Sequence, residues 1–179
     1  MWSLIVNLAT QRRVISGAGL LAILLTSCAP AGQLLHFPFD PGGRGLNSPF
    51  NETEPGISNR YLVFTSTRQS KQDIYVFDLE TQRLVDLPGL NAYDAIASNP
   101  AISADGNLIA FVLSRQGQSD IYLYNRGTQQ LRNLTDSLNA DVRNPSLSSD
   151  GNLIAFEIGI NGQWDIALCD RTGQLLSLN

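Results

Sequence analysis

The sequence predicts an all-β protein assembled from repeated four-stranded units, and three observations carry that prediction. A long motif returns at fixed spacing. Asn-Pro-Ala-Ile-Ser-Ala-Asp-Gly-Asn-Leu-Ile-Ala-Phe at 99–111 reappears as Asn-Pro-Ser-Leu-Ser-Ser-Asp-Gly-Asn-Leu-Ile-Ala-Phe at 144–156, 45 residues on. At the same offset Asp120-Ile-Tyr-Leu-Tyr124 returns as Asp165-Ile-Ala-Leu-Cys169. Beyond residue 27, no ten-residue stretch carries the apolar stripe of an amphipathic helix, while short apolar or alternating runs between turn residues recur throughout.

An earlier, more diverged copy holds Glu54-Pro-Gly-Ile-Ser58, then Tyr61-Leu-Val-Phe64 and Asp73-Ile-Tyr-Val-Phe77. The connectors repeat as well, with Leu46-Asn-Ser48, Leu90-Asn-Ala92 and Leu138-Asn-Ala140 leading into the three copies. The three span 46–179 at about 45 residues each. In each copy the first strand ends at an Ile-Ser or Leu-Ser step before the turn. Asp105-Gly106 and Asp150-Gly151 suit a two-residue hairpin with positive φ at both central positions. The second strand is the apolar run 108–113 or 153–158, and its unbroken apolarity predicts burial on both faces. The third strand starts at the recurring Asp73, Asp120 or Asp165, and a polar turn leads to a short fourth, such as 130–134. Aspartates present in every copy are read as serving turn and strand-start geometry. A four-stranded unit every 40–50 residues is a β-propeller blade.

The amino terminus reads as an address. Residues 1–28 carry no acid, and hold Arg12-Arg13, a twelve-residue apolar run from Val14 and then Thr26-Ser27-Cys28. That is a secretory signal, with an apolar run short of the roughly 20 residues that span a bilayer. Leu25-Thr26-Ser27-Cys28 resembles the bacterial lipobox, which implies cleavage before Cys28 and lipidation of its thiol. The expected organisation is a lipoprotein signal peptide at 1–27, a lipid-anchored tether at 28–45 rich in Pro, Gly and Arg, and a propeller segment at 46–179. Removing the signal takes away two arginines and no acid, leaving 152 residues at formal net charge −6.

Several function classes are disfavoured by these counts. The acidic balance and absence of a basic cluster argue against nucleic acid as partner. Two cysteines and one histidine, His36 in the tether, supply neither a zinc site nor a hydrolytic triad. No Gly-x-Ser-x-Gly elbow and no Asp-x-Asp-x-Asp-Gly loop occurs, so no catalytic residue, metal or cofactor is expected. Cys169, in an apolar alternating segment, reads as a buried inert thiol.

Pro-x-Ile-Ser-x-Asp-Gly-x-x-Ile-Ala-Phe followed by Asp-Ile-Tyr-Leu resembles the propeller repeat of the TolB family, and related repeats form the propeller of prolyl-oligopeptidase-like enzymes. The resemblance covers all three copies and implies three antiparallel blades, half of a six-bladed ring. It also implies a periplasmic, cell-envelope setting, and the missing Gly-x-Ser-x-Gly elbow argues against enzymatic activity. Three blades in a row leave an apolar face bare at each end, and such faces mark association surfaces. A homodimer closing a six-bladed ring, or closure on another envelope protein, is therefore expected, with the membrane reached through the lipid on Cys28.

Function should sit where the copies differ, on the loops that join strands two to three and blade to blade. These contribute Arg68, Lys71, Tyr93, Asp94, Arg115, Asp141, Arg143 and Trp164 as the candidate partner-binding face. Trp164 stands out because the other copies have Gln72 and Ser119 in its place. The expected role is protein–protein contact. The alternatives are binding of cell-wall saccharides or other small ligands, and service as the non-catalytic chain of an enzyme.

Overall fold

Eleven short segments, some alternating apolar with polar side chains and others apolar over several consecutive positions, form strands. The computed structural model describes residues 40–177, so the signal segment, Cys28 and His36 lie outside the described residues. The first sheet is β1 (Glu52–Ser58), β2 (Tyr61–Ser66), β3 (Asp73–Asp78) and β4 (Arg83–Leu84). The second is β5 (Ile96–Ile102), β6 (Leu108–Arg115), β7 (Gln118–Asn125) and β8 (Gln130–Asn133). The third is β9 (Asp141–Leu147), β10 (Leu153–Ile160) and β11 (Gln163–Asp170). All pairings are antiparallel between chain neighbours, which is the meander of a propeller blade.

Among the described residues the third copy has three strands and not the four expected. After Asp170 the chain turns through Gly173, and among the described residues a bridge from Leu175 to Cys169, with bonds from Asp170 N–H to the Gln174 carbonyl and from Leu176 N–H to the Leu168 carbonyl, stands in place of the fourth.

The blades pack face to face through two cores. Between the first and second blades lie Val63, Ile74, Val76, Ile109, Phe111, Leu113 and Tyr124. Between the second and third lie Leu108, Ala110, Val112, Ile121, Leu123, Val142, Ile154, Phe156 and Ile158. The run 108–113 is buried at every position, as its apolarity predicts. The similar run 153–158 is not, since it alternates between buried and accessible residues. Glu157 stands on its accessible face, and no described blade lies there.

The hairpins also differ from expectation. Positive φ does occur at both central residues of a two-residue turn, but at Gln116-Gly117 (53° and 85°) and Asn161-Gly162 (52° and 82°), between second and third strands. In the Asp-Gly turns only the glycine is left-handed, Gly106 at 70° and Gly151 at 68°. The aspartates there act through their side chains. Asp105 Oδ1 accepts from the Ser103 hydroxyl at 2.6 Å and from Asn107 N–H at 2.9 Å. Asp150 repeats this with the Ser148 hydroxyl at 2.6 Å and Asn152 N–H at 3.0 Å, which hold its carboxyl down at about 2. This Asx arrangement lengthens the connection to four residues.

Each first strand carries a bulge at its Pro. Glu54, Asn99 and Asn144 take φ of 52°, 49° and 51°, each directly before proline. The bulges fall where the register of all three first-strand pairings shifts. The first of them ties its blade to the second, since Glu54 Oε2 accepts Asn99 N–H at 2.7 Å.

Candidate functional site

The candidate residues fall into separate groups along the arc, on the third blade, around the second and on the first. Arg143 and Trp164 form the first of these. Trp164 pairs across the hairpin with Gly159, whose missing side chain leaves room for the indole to lie on the β10 backbone. The Arg143 guanidinium sits 3.8 Å from the ring centroid, a cation–π contact on a side chain that is 43% exposed. Arg143 Nε also donates to Glu157 Oε2 at 2.6 Å, and Asn144 Nδ2 donates to Glu157 Oε1 at 2.9 Å. The Asn144 amide and the Arg143 charge together hold the Glu157 carboxyl below its ordinary value. Trp164, Arg143 and Glu157 thus stand as one pre-arranged ridge beside Ile166, which is 71% exposed.

Asp94 and Arg115 are also brought together, with an ion pair of 2.9 Å between exposed side chains. Tyr93, 97% exposed, stands free next to them. Asp141 is exposed opposite Gly159 at the start of β9. These residues share the side of the arc where second-to-third strand turns and blade-to-blade connections emerge.

Arg68 and Lys71 lie in the connection between β2 and β3 but are engaged by the first blade. Arg68 was expected on the partner face, yet its side chain is only 5% exposed. Its guanidinium lies over the rings of Phe64 and Tyr75, at 5.3 and 5.2 Å from their centroids. It donates to the Gly43 carbonyl at 3.0 Å, the Leu46 carbonyl at 2.7 Å and Glu52 Oε1 at 3.0 Å. Arg68 therefore clamps the segment 40–51 against the first blade. Lys71 is drawn to Asp73, whose side chain is buried. The last residues of the expected tether are accordingly folded: the Asp40 carboxylate accepts N–H bonds from Gly42, Arg44 and Gly45, each at 2.8 Å.

The recurring strand-start aspartates have three different partners. Asp120 accepts from the Thr135 hydroxyl at 2.9 Å, and that hydroxyl also takes the Ile121 N–H. Asp73 holds Lys71, while Asp165 accepts from the exposed Gln163 amide at 2.9 Å. Among the described residues, no group of three or more His, Cys, Asp or Glu is placed to hold a metal ion.

Cys169 is fully buried, and burial with Asp170 nearby pushes its thiol up to about 11. It is expected to resist a thiol reagent at pH 8 in the folded protein and to react at once in denaturant. Rapid labelling without denaturant would show that the third blade opens.

Three residues that matter here went unselected in the sequence. Glu157 interrupts an apolar run where the other copies have Thr65 and Val112. Ile166 repeats Ile121 without its cover, and Glu52 replaces the apolar Ala97 and Val142. The first and last were detectable by aligning the copies for their departures, whereas the exposure of Ile166 needed the packing.

This geometry can be set beside known proteins. The family model described as the TolB beta propeller domain matches residues 53–174. The chain belongs to the TolB beta propeller domain family. Solved structures agree on the fold of this TolB-family chain. TolB from Acinetobacter baumannii superposes with a TM-score of 0.59 at 22% identity, over 73% of this chain and 32% of that one. A TolB from Agrobacterium tumefaciens gives 0.56 at 21% identity, over 72% and 48%. The β-propeller domain of the Trilobed protease from Pyrococcus furiosus gives 0.54 at 15% identity, over 72% and 42%. The TolB-family chain thus spans between a third and a half of the TolB structures it matches. No curated protein matches it. At these identities the likeness establishes fold, and the candidate ridge has to be argued from its own chemistry.

Proposed function

We propose that the chain is a non-enzymatic, lipid-anchored interaction protein of the cell envelope, whose propeller arc makes protein–protein contacts. The observation that carries this reading is the Arg143–Trp164–Glu157 ridge with its apolar neighbour Ile166, a set of side chains that interfaces favour. An aromatic ring held open to solvent by a stacked guanidinium loses little entropy on binding a partner. The loop-face pair Asp94–Arg115 and the free Tyr93 extend the contact area. Family membership supports an interaction role, since it matches the chain to TolB propellers. Anchoring rests on the motif Leu25-Thr26-Ser27-Cys28.

One experiment tests both halves. Cells expressing the chain with a photo-crosslinking residue at Tyr93 are labelled with palmitate and irradiated. The expected result is lipid label and membrane sedimentation that Cys28→Ser abolishes, with protein adducts that Trp164→Ala reduces severalfold while the melting temperature holds. Adducts unaffected by Trp164→Ala, or saturable capture of a glycan in their place, would overturn the interaction reading. Label that survives Cys28→Ser would overturn the anchor.

A further inference from the structure

Cross-strand neighbours on the first two strands of each blade form a matching rung in all three. On the face a blade turns to its successor, the pair is Thr53–Thr65 in the first blade, Ser98–Val112 in the second and Arg143–Glu157 in the third. On the face turned to its predecessor, the pairs are Glu52–Ser66, Ala97–Leu113 and Val142–Ile158. At this rung both internal junctions are therefore uncharged. Charge enters only at the two terminal faces, and it enters in complementary form: Arg143 with Glu157 on the trailing face, Glu52 with Arg68 on the leading one.

The rest of the trailing face repeats a surface whose cover is known. Leu153, Ala155, Ile166 and Leu168 stand where the second blade has Leu108, Ala110, Ile121 and Leu123. Those four are packed against Ile154, Phe156 and Ile158 of the next blade. The leading face of the first blade offers the same type of surface, with Phe64 and Phe77 where the second blade has Phe111 and Tyr124. It is closed by Arg68 and the segment 40–51 that Arg68 clamps. The closure is imperfect. Two buried polar atoms on that face, Asp73 Oδ2 and the Tyr75 hydroxyl, find no partner among the described residues.

We infer that the trailing face is built to receive the leading face of a second copy, with the segment 40–51 as an exchangeable cover. In that arrangement the third blade of each copy lies on the first blade of the other, and two arcs of three make a six-bladed ring about a two-fold axis. The trailing Arg143 comes to Glu52, and Glu157 to the Arg68 freed from the Gly43 and Leu46 carbonyls. Opposite charges at a rung where internal junctions have none select this register over trailing face on trailing face. The inference rests on the interaction role proposed above and names its partner as the chain itself.

Asp40 gives a clean test because it holds the turn of the cover and touches neither face. Sedimentation of the full-length chain in density-matched detergent, over micromolar concentrations, is expected to show a monomer–dimer equilibrium. Asp40→Ala should tighten it about tenfold by raising the fraction of uncovered leading faces. Ile166→Asp, at an exposed position that leaves the core intact, should abolish dimers in both backgrounds, and Glu157→Arg should weaken them severalfold. Overturning results are a monomer in both wild type and Asp40→Ala, a dimer indifferent to Asp40→Ala, or a dimer that survives Ile166→Asp. A monomer that still forms Trp164-dependent adducts overturns self-closure alone, whereas loss of both overturns the interaction role with it.

Discussion

Phe111→Ala is expected to lower the unfolding free energy by about 3–5 kcal/mol, a large share of what a domain of this size has. The ring is fully buried in the core between the first and second blades, among Val63, Val76 and Leu113, and 6.3 Å from the ring of Tyr122. Sheets on both sides fix the backbone, so the space left by the ring cannot collapse. Urea unfolding followed by tryptophan fluorescence and circular dichroism checks the value. Fluorescence reports on the third blade through Trp164, since the other tryptophan, Trp2, lies far outside the repeats. Coincident loss of both signals is expected, because the middle blade shares a core with each neighbour. A loss under about 1 kcal/mol, or a third-blade signal that ignores the substitution, would show that the blades unfold independently.

The second large effect is expected at a turn. Gly106→Ala should cost roughly 2–5 kcal/mol, where Gly117→Ala should cost about 1–2. Both glycines have positive φ, at 70° and 85°, so both substitutions carry the left-handed penalty. They differ in what the new methyl meets. At Gly117 nothing lies within 4 Å, whereas at Gly106 the Tyr61 ring stands 2.1 Å from the Cβ position. That ring cannot retreat freely. It lies between the guanidinium groups of Arg60 and Arg126, at 5.5 and 4.8 Å, and Arg126 also donates to the Gly106 carbonyl at 3.0 Å. Thermal unfolding of the two variants side by side separates the steric part from the backbone part. Equal losses would show that Tyr61 yields without cost.

Tyr61 and Gly106 belong to different blades, and their contact illustrates how much the repeat alone made legible. The 45-residue offset, the strand positions and the blade meander could all be read from alternation and turn residues, because those signals act within a few residues of the chain. The burial of 108–113 followed from its composition. The run 153–158, which shares Leu-Ile-Ala-Phe but carries Glu157 in place of Val112, did not reach the same burial, because apolarity states what a strand tolerates and not whether a neighbour is there. The Asp-Gly steps were recognisable as turns, yet their geometry came from serine and asparagine partners flanking the aspartate.

The candidate site was less legible. Trp164 and Arg143 were both selectable as departures from the repeat, but their stacking depends on Gly159 leaving the sheet open beneath the indole. Arg68 misled, because a charged loop residue ordinarily points to water. Here two aromatic faces and two backbone carbonyls compensate its burial.

Sequence alone therefore established an all-β chain of TolB-type blades, since period-two patterning and turn chemistry are local properties. Tertiary structure decided which end of the arc is covered and which is open. It also placed Arg143 with Glu157 on one terminal face and Glu52 with Arg68 on the other. Those outcomes depend on sheet register and on packing between residues remote in the chain, where the contacts of a side chain are set by its neighbours in space.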